Sequence, residues 1–107
     1  MDPGTKKQID DLVGGNKVVL FMKGTPDFPQ CGFSMRAIGI LRSLNTDFAT
    51  FDILSDDTMR AAVKEYGNWP TYPQLYIHGQ LVGGSDIMME MWEQGELEKL
   101  VEAPRGR

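Results

Sequence analysis

The chain has 107 residues, 41% of them hydrophobic and 24% charged, with a formal net charge of −4. That is enough apolar chain for one globular domain with its own core. The acidic balance argues against non-specific nucleic-acid binding, and no apolar run approaches the ~20 residues that span a bilayer.

In chain order, Thr5 with Gln8 three residues on reads as the cap of a first helix. Ile9, Leu12 and Val13 follow at helical spacing, and Gly14-Gly15 stops the run. Val18-Val-Leu-Phe-Met22 is continuously apolar, which predicts a central strand covered on both faces. A loop with two prolines then leads to Cys31, the one cysteine of the chain. Phe33, Ala37, Ile38, Leu41 and Leu44 mark the apolar face of a second helix, with Asn45 at its C-terminal end. Phe48 to Leu54 alternates, placing Ala49, Phe51 and Ile53 on one side of a second strand.

Ser55-Asp-Asp-Thr58 opens a third helix with capping residues and two acids in its first turn. Met59, Ala62, Val63 and Tyr66 form its apolar face, and Gly67 ends it. Trp69-Pro-Thr-Tyr-Pro73 excludes helix. Trp69 fits core and groove lining equally well. Leu75-Tyr-Ile77 and Leu81-Val82 flank His78-Gly79-Gln80, a short hairpin with His78 in solvent. Gly83-Gly84 precedes Ser85-Asp86, read as an N-cap pair for a helix packed by Ile87, Met88, Met91 and Trp92. Met88, Met89 and Met91 are expected as core filler. Gly95 breaks that helix, Leu97, Leu100 and Val101 mark a short last one, and residues 103–107 read as a solvated tail. The order α-β-α-β-α-β-β-α-α predicts one small mixed sheet with helices on both faces.

Cys31 stands where a loop opens into a helix. Unpaired N–H groups and the macrodipole there favour thiolate, the form that acts as nucleophile and metal ligand. A lone cysteine excludes an internal disulfide and fits a reducing compartment. The N-terminus has no secretory h-region, so cytoplasm is expected, with the mature form of an organelle protein as the alternative.

Four blocks carry a family resemblance: Phe21-Met-Lys-Gly-Thr-Pro26, Cys31-Gly-Phe-Ser34, Trp69-Pro-Thr-Tyr-Pro-Gln74 and Gly83-Gly-Ser-Asp86. In order and spacing they resemble the monothiol glutaredoxins of the CGFS type, members of the thioredoxin fold, over about the whole chain. The resemblance implies an α/β thioredoxin fold with a four-stranded mixed sheet. It implies that Cys31 is the active thiol, with Ser34 where dithiol relatives carry a resolving cysteine. It also implies a glutathione site at Lys23, Arg60, Thr71, Tyr72, Pro73, Gly84, Ser85 and Asp86. In that site Lys23 and Arg60 hold the glycine carboxylate, and the Tyr72 backbone pairs with the cysteinyl unit before a cis Pro73. Ser85 and Asp86 take the γ-glutamyl end. Many members have cysteine where this chain has Ser85, so an auxiliary disulfide with Cys31 is unavailable to it.

These residue types suit glutathione physically. Lys23 and Arg60 are cations for a carboxylate, and a helix start at Ser85-Asp86 offers N–H groups to a carboxylate and a side chain to an ammonium. The resemblance further implies a [2Fe-2S] cluster held by Cys31 and glutathione across a homodimer. It implies cluster transfer to apo iron–sulfur recipients and pairing with BolA-like proteins. The rival functions are glutathione-dependent deglutathionylation through Cys31 alone, and a docking module whose partner supplies another ligand.

Overall fold

The structure, a computed structural model, describes residues 1–103. The tail expectation at 104–107 lies outside the described residues. Helix α1 (Pro3–Gly15) leads into strand β1 (Val18–Met22), helix α2 (Gly32–Ser43) and strand β2 (Ala49–Asp52). Helix α3 (Asp57–Gly67) follows, then the hairpin β3 (Gln74–Ile77) and β4 (Gln80–Gly83), and helices α4 (Ser85–Glu93) and α5 (Glu96–Glu102). The sheet runs β2-β1-β3-β4. β1 is parallel to β2 and antiparallel to β3, with Leu20 opposite Thr50 on one side and Leu75 on the other. This is the mixed thioredoxin-type sheet the sequence predicts.

All five residues of β1 are buried, and they alternate between two cores. Val18, Leu20 and Met22 meet Ala37, Ile38 and Leu41 of α2, Met88 of α4, and Leu97 and Val101 of α5. Val19 and Phe21 meet Ile9 and Val13 of α1, and Met59, Ala62 and Val63 of α3. A strand covered on both faces must be apolar throughout, which is why this run does not alternate with polar residues. The two aromatic rings Phe21 and Tyr76 meet edge to face at 5.7 Å.

Helix starts depart from the sequence reading where a better acceptor stands nearby. Asp2, not Thr5, caps α1; its carboxylate accepts from the N–H groups of Gly4 and Thr5, and Pro3 takes the first helical position. Gly84, not Ser85, is the N-cap of α4, which puts Ser85 and Asp86 inside its first turn. The second strand is shorter than predicted. It ends at Asp52, whose carboxylate accepts from Leu54 N and turns Ile53–Ser55 into a short 3-10 segment.

Three apolar expectations fail. Phe33 is 60% exposed, and Ile87 and Trp92 also reach solvent. His78 is half-buried rather than exposed. Both turn residues, His78 and Gly79, have positive φ, as a two-residue hairpin loop requires. That geometry folds the imidazole back, and its Nε2 donates to Leu100 O at 3.1 Å.

Candidate functional site

The loop between β1 and α2 is tied at both ends. Gln30 N donates to Lys23 O at 2.9 Å, and Thr25 and Phe28 exchange backbone bonds. Gly24 sits at φ +92°, and its N–H donates to Asp52 Oδ1 at 2.9 Å. The same carboxylate oxygen therefore holds the loop to the end of β2 and starts the 3-10 segment. This closure delivers Cys31 to the N-cap of α2 in an extended conformation.

The Cys31 thiol is partly exposed, with its sulfur accepting from Ser34 N at 3.3 Å. Ser34 is fully buried; its hydroxyl lies 3.5 Å from the sulfur and accepts from Lys23 N at 3.1 Å. Burial pushes the Cys31 thiol up. The Ser34 hydroxyl, the backbone N–H groups of Ser34 and Phe33, and the charge of Lys23 together outweigh that, so the thiol ends below its ordinary value. Replacing Ser34 with alanine removes the largest of these favourable contacts and leaves Lys23 N without its acceptor. The thiol of Ser34→Ala is expected to titrate at higher pH than that of the native chain, and to alkylate more slowly at neutral pH. Thiolate absorbance across a pH series checks this.

Beside Cys31 runs a cleft of about 710 Å³ lined by Lys23, Arg60, Thr71, Tyr72, Pro73, Gly84, Ser85 and Asp86. The structure thus brings together all eight residues singled out in the sequence. Cys31 is not itself in the lining but is joined to it through Lys23 and Phe33. The Tyr72–Pro73 peptide is cis. The Tyr72 ring is buried, and its hydroxyl donates to Arg60 O at 2.6 Å, fixing the lining loop against α3. Burial holds the Tyr72 hydroxyl far above the usual phenol range, so it stays protonated as a donor. Gln74 Nε2 donates to Trp69 O at 3.0 Å and ties down the other end of that loop. Trp69 lines the cleft, which decides between its two readings.

The walls differ in chemistry because they come from opposite layers of the fold. α3 and the end of β1 contribute three cations, Arg60, Lys64 and Lys23. α4 contributes its N-terminus, and no side chain caps it. Its first-turn N–H groups are therefore available to an anion.

Sequence reasoning missed Lys64 and Arg36. Lys64 follows Arg60 by four residues, so it shares that helix face, and the signal was present. Its ammonium lies 5.8 Å from the Tyr72 ring. Arg36 belongs to α2, and only the tertiary packing of α2 on α4 brings it to Ser85 and Asp86. The exposed Phe33 and Ile87 are explained here too, since both line the cleft.

The glutaredoxin family model matches residues 18–82. A monothiol glutaredoxin of Porphyra purpurea is 56% identical over 102 residues, 95% of each chain. The chain belongs to the glutaredoxin family. Its single thiol agrees with the monothiol names of its relatives. The chloroplastic monothiol glutaredoxin-S7 of Oryza sativa subsp. japonica is 51% identical over 100 residues, 94% of this chain and 60% of that longer one. The solution structure of reduced poplar apo GrxS14 has a TM-score of 0.81 and 52% identity, covering 91% of this chain and 89% of that one. Family and fold thus agree with the resemblance drawn from the four sequence blocks.

Proposed function

We propose that this glutaredoxin binds glutathione in the cleft and carries a [2Fe-2S] cluster as cargo for transfer to acceptor proteins. The observation that carries this reading is a half-exposed, acidified Cys31 thiol set beside a cleft with a cationic wall. The glycine carboxylate goes to Lys23 and Arg60, and the γ-glutamyl end to the start of α4 at Ser85 and Asp86. Thr71, Tyr72, Pro73 and Gly84 form the floor between them.

A cluster of this type takes four thiolates. Among the described residues no group of three or more His, Cys, Asp and Glu converges, and the chain has one cysteine. On this reading, which follows the family resemblance, one protomer supplies one protein ligand and one glutathione thiolate, and a second copy completes the set. The exposed Phe28, Phe33 and Met35 flank Cys31 in sequence and leave apolar surface for that approach. BolA-like proteins and apo iron–sulfur proteins are the partners this reading implies. The chloroplastic rice relative supports the organelle alternative to the expected cytoplasm.

The test is anaerobic reconstitution with iron, sulfide and glutathione, followed by visible spectrum and solution mass. A thiolate-to-iron charge-transfer spectrum on a dimer, lost when glutathione is stripped, is expected. A colourless monomer overturns the carrier reading. Truncating Arg60 to alanine removes a bidentate partner for the glycine carboxylate. Glutathione affinity is expected to fall about tenfold, from the ~1.5 kcal/mol typical of a hydrogen bond to a charged group. Calorimetric titration of the reduced apo chain checks it.

The lowered thiol also favours a second reading, thiol exchange. Here the Cys31 thiolate attacks the glutathione sulfur of a protein mixed disulfide, and the target leaves as thiolate. A second glutathione thiolate then attacks the Cys31–glutathione disulfide, releasing oxidised glutathione and regenerating the Cys31 thiolate. Turnover on a glutathionylated peptide measures this route.

A further inference from the structure

The N-terminus of α4 meets the cleft at an ion pair of which one member, Asp86, lines the cleft and the other, Arg36, does not. Arg36 reaches across from α2. Its Nε donates to Ser85 Oγ at 2.8 Å and its Nη2 to Asp86 Oδ1 at 2.6 Å. Ser85 is buried and Asp86 is 91% exposed, while the Arg36 side chain is 37% exposed. The guanidinium also lies 5.9 Å from the Phe33 ring, which lines the cleft. So open an ion pair adds little to folding. Its position matters more than its stability.

The electrostatic problem at this point is specific. The uncapped α4 N-terminus attracts a carboxylate, yet Asp86 in its first turn repels one. With Asp86 alone, the site would favour an amine. Arg36 bonded to Asp86 offsets that charge without removing the carboxylate. Only Oδ1 of Asp86 takes a bond among the described residues, so Oδ2 remains for a cation. The result is a fixed cation, a carboxylate and a row of backbone N–H groups within one turn. That set is complementary to an ammonium and a carboxylate on the same carbon.

From this arrangement we infer that Arg36 is a specificity-determining residue: it retunes the α4 start from an amine site to one for a zwitterionic α-amino-acid head. The inference rests on the glutathione reading, since the γ-glutamyl end carries such a head. Arg36 acts through Asp86 and Ser85 and through its charge, so it is a positioning residue rather than a catalytic one. A carboxylate in the site gains from its charge, whereas an ammonium loses.

The experiment compares three tripeptides on the reduced apo chain and on Arg36→Gln, by calorimetry at low salt. They are glutathione, glutaryl-Cys-Gly, which keeps the terminal carboxylate but lacks the ammonium, and 4-aminobutanoyl-Cys-Gly, which keeps the ammonium but lacks the carboxylate. Arg36→Gln is expected to weaken the glutaryl peptide and to tighten the aminobutanoyl peptide. The ratio of their affinities should move by about tenfold, the product of two exposed charge effects of roughly threefold each. Added salt should shrink the shift, since both effects are screened. Arg36→Lys keeps the charge and should recover most of the ratio. Equal loss for all three tripeptides would make Arg36 merely structural and overturn the inference, as would a shift of the opposite sign. A native chain that binds none of the three overturns the glutathione reading itself, so the two failures are distinct.

Discussion

Cys31→Ser, reconstituted without oxygen with iron, sulfide and glutathione, is expected to stay folded, colourless and monomeric, where the native chain forms a coloured dimer. Serine is close in size, and the site lies at a half-exposed helix cap, so packing changes little. Serine is also a good N-cap, and its oxygen can accept from Ser34 N as the sulfur does. What is lost is chemistry. A hydroxyl does not ionise near neutral pH and does not take the place of a thiolate on iron. Because one chain offers one such ligand, no other cysteine can substitute. A variant that holds a normal cluster removes Cys31 from the ligand set and with it the carrier proposal.

The same substitution tests the acidified thiol through stability. Cys31 is held below its ordinary value of 9.0 in the fold. Between the folded and unfolded values the unfolded chain binds more protons, so stability rises with pH across that window. The contribution is fully present above the unfolded value and is lost as pH falls through the folded one. Denaturant unfolding at a series of pH values should show this rise in the native chain and not in Cys31→Ser.

The fold was legible because its signals are local. The all-apolar Val18–Met22 run can only be a doubly covered strand, and Met59, Ala62 and Val63 keep helical spacing. The site was legible for a different reason: its residues lie in short contiguous blocks, so Lys23, Cys31 and the Thr71–Pro73 segment could be read as motifs. What escaped depends on distant partners. Phe33 looks like core by period, but it lines an open cleft. Asp2 replaces Thr5 as a cap because a carboxylate one residue before Pro3 is the better acceptor, and it even binds the Thr5 hydroxyl at 2.6 Å. Arg36 has meaning only once α2 packs on α4, nearly fifty residues apart in the chain.

Gly24→Ala is expected to be the most damaging single substitution in the loop that carries the thiol. Gly24 has φ +92°, which side-chain-bearing residues rarely adopt. A Cβ there would fall 2.5 Å from Phe28 O and 2.7 Å from Gln30 N. Both are backbone atoms of the closure that holds the loop, so no side-chain rotation relieves the contact. The chain must either break the Gln30-to-Lys23 and Thr25–Phe28 bonds or surrender the Gly24-to-Asp52 bond. Strained φ and lost hydrogen bonds together give a cost of about 2–4 kcal/mol. In a chain of this size that corresponds to a fall in Tm on the order of 10 °C or more. The function should fail further than the stability. Lys23 N and the Ser34 hydroxyl meet through this loop, so moving it removes part of what lowers the Cys31 thiol. Gly24→Ala should therefore shift the thiol titration upward at temperatures where circular dichroism still reports a folded chain. A destabilised variant with an unshifted thiol would mean that α2 alone, and not the loop closure, sets the chemistry of Cys31.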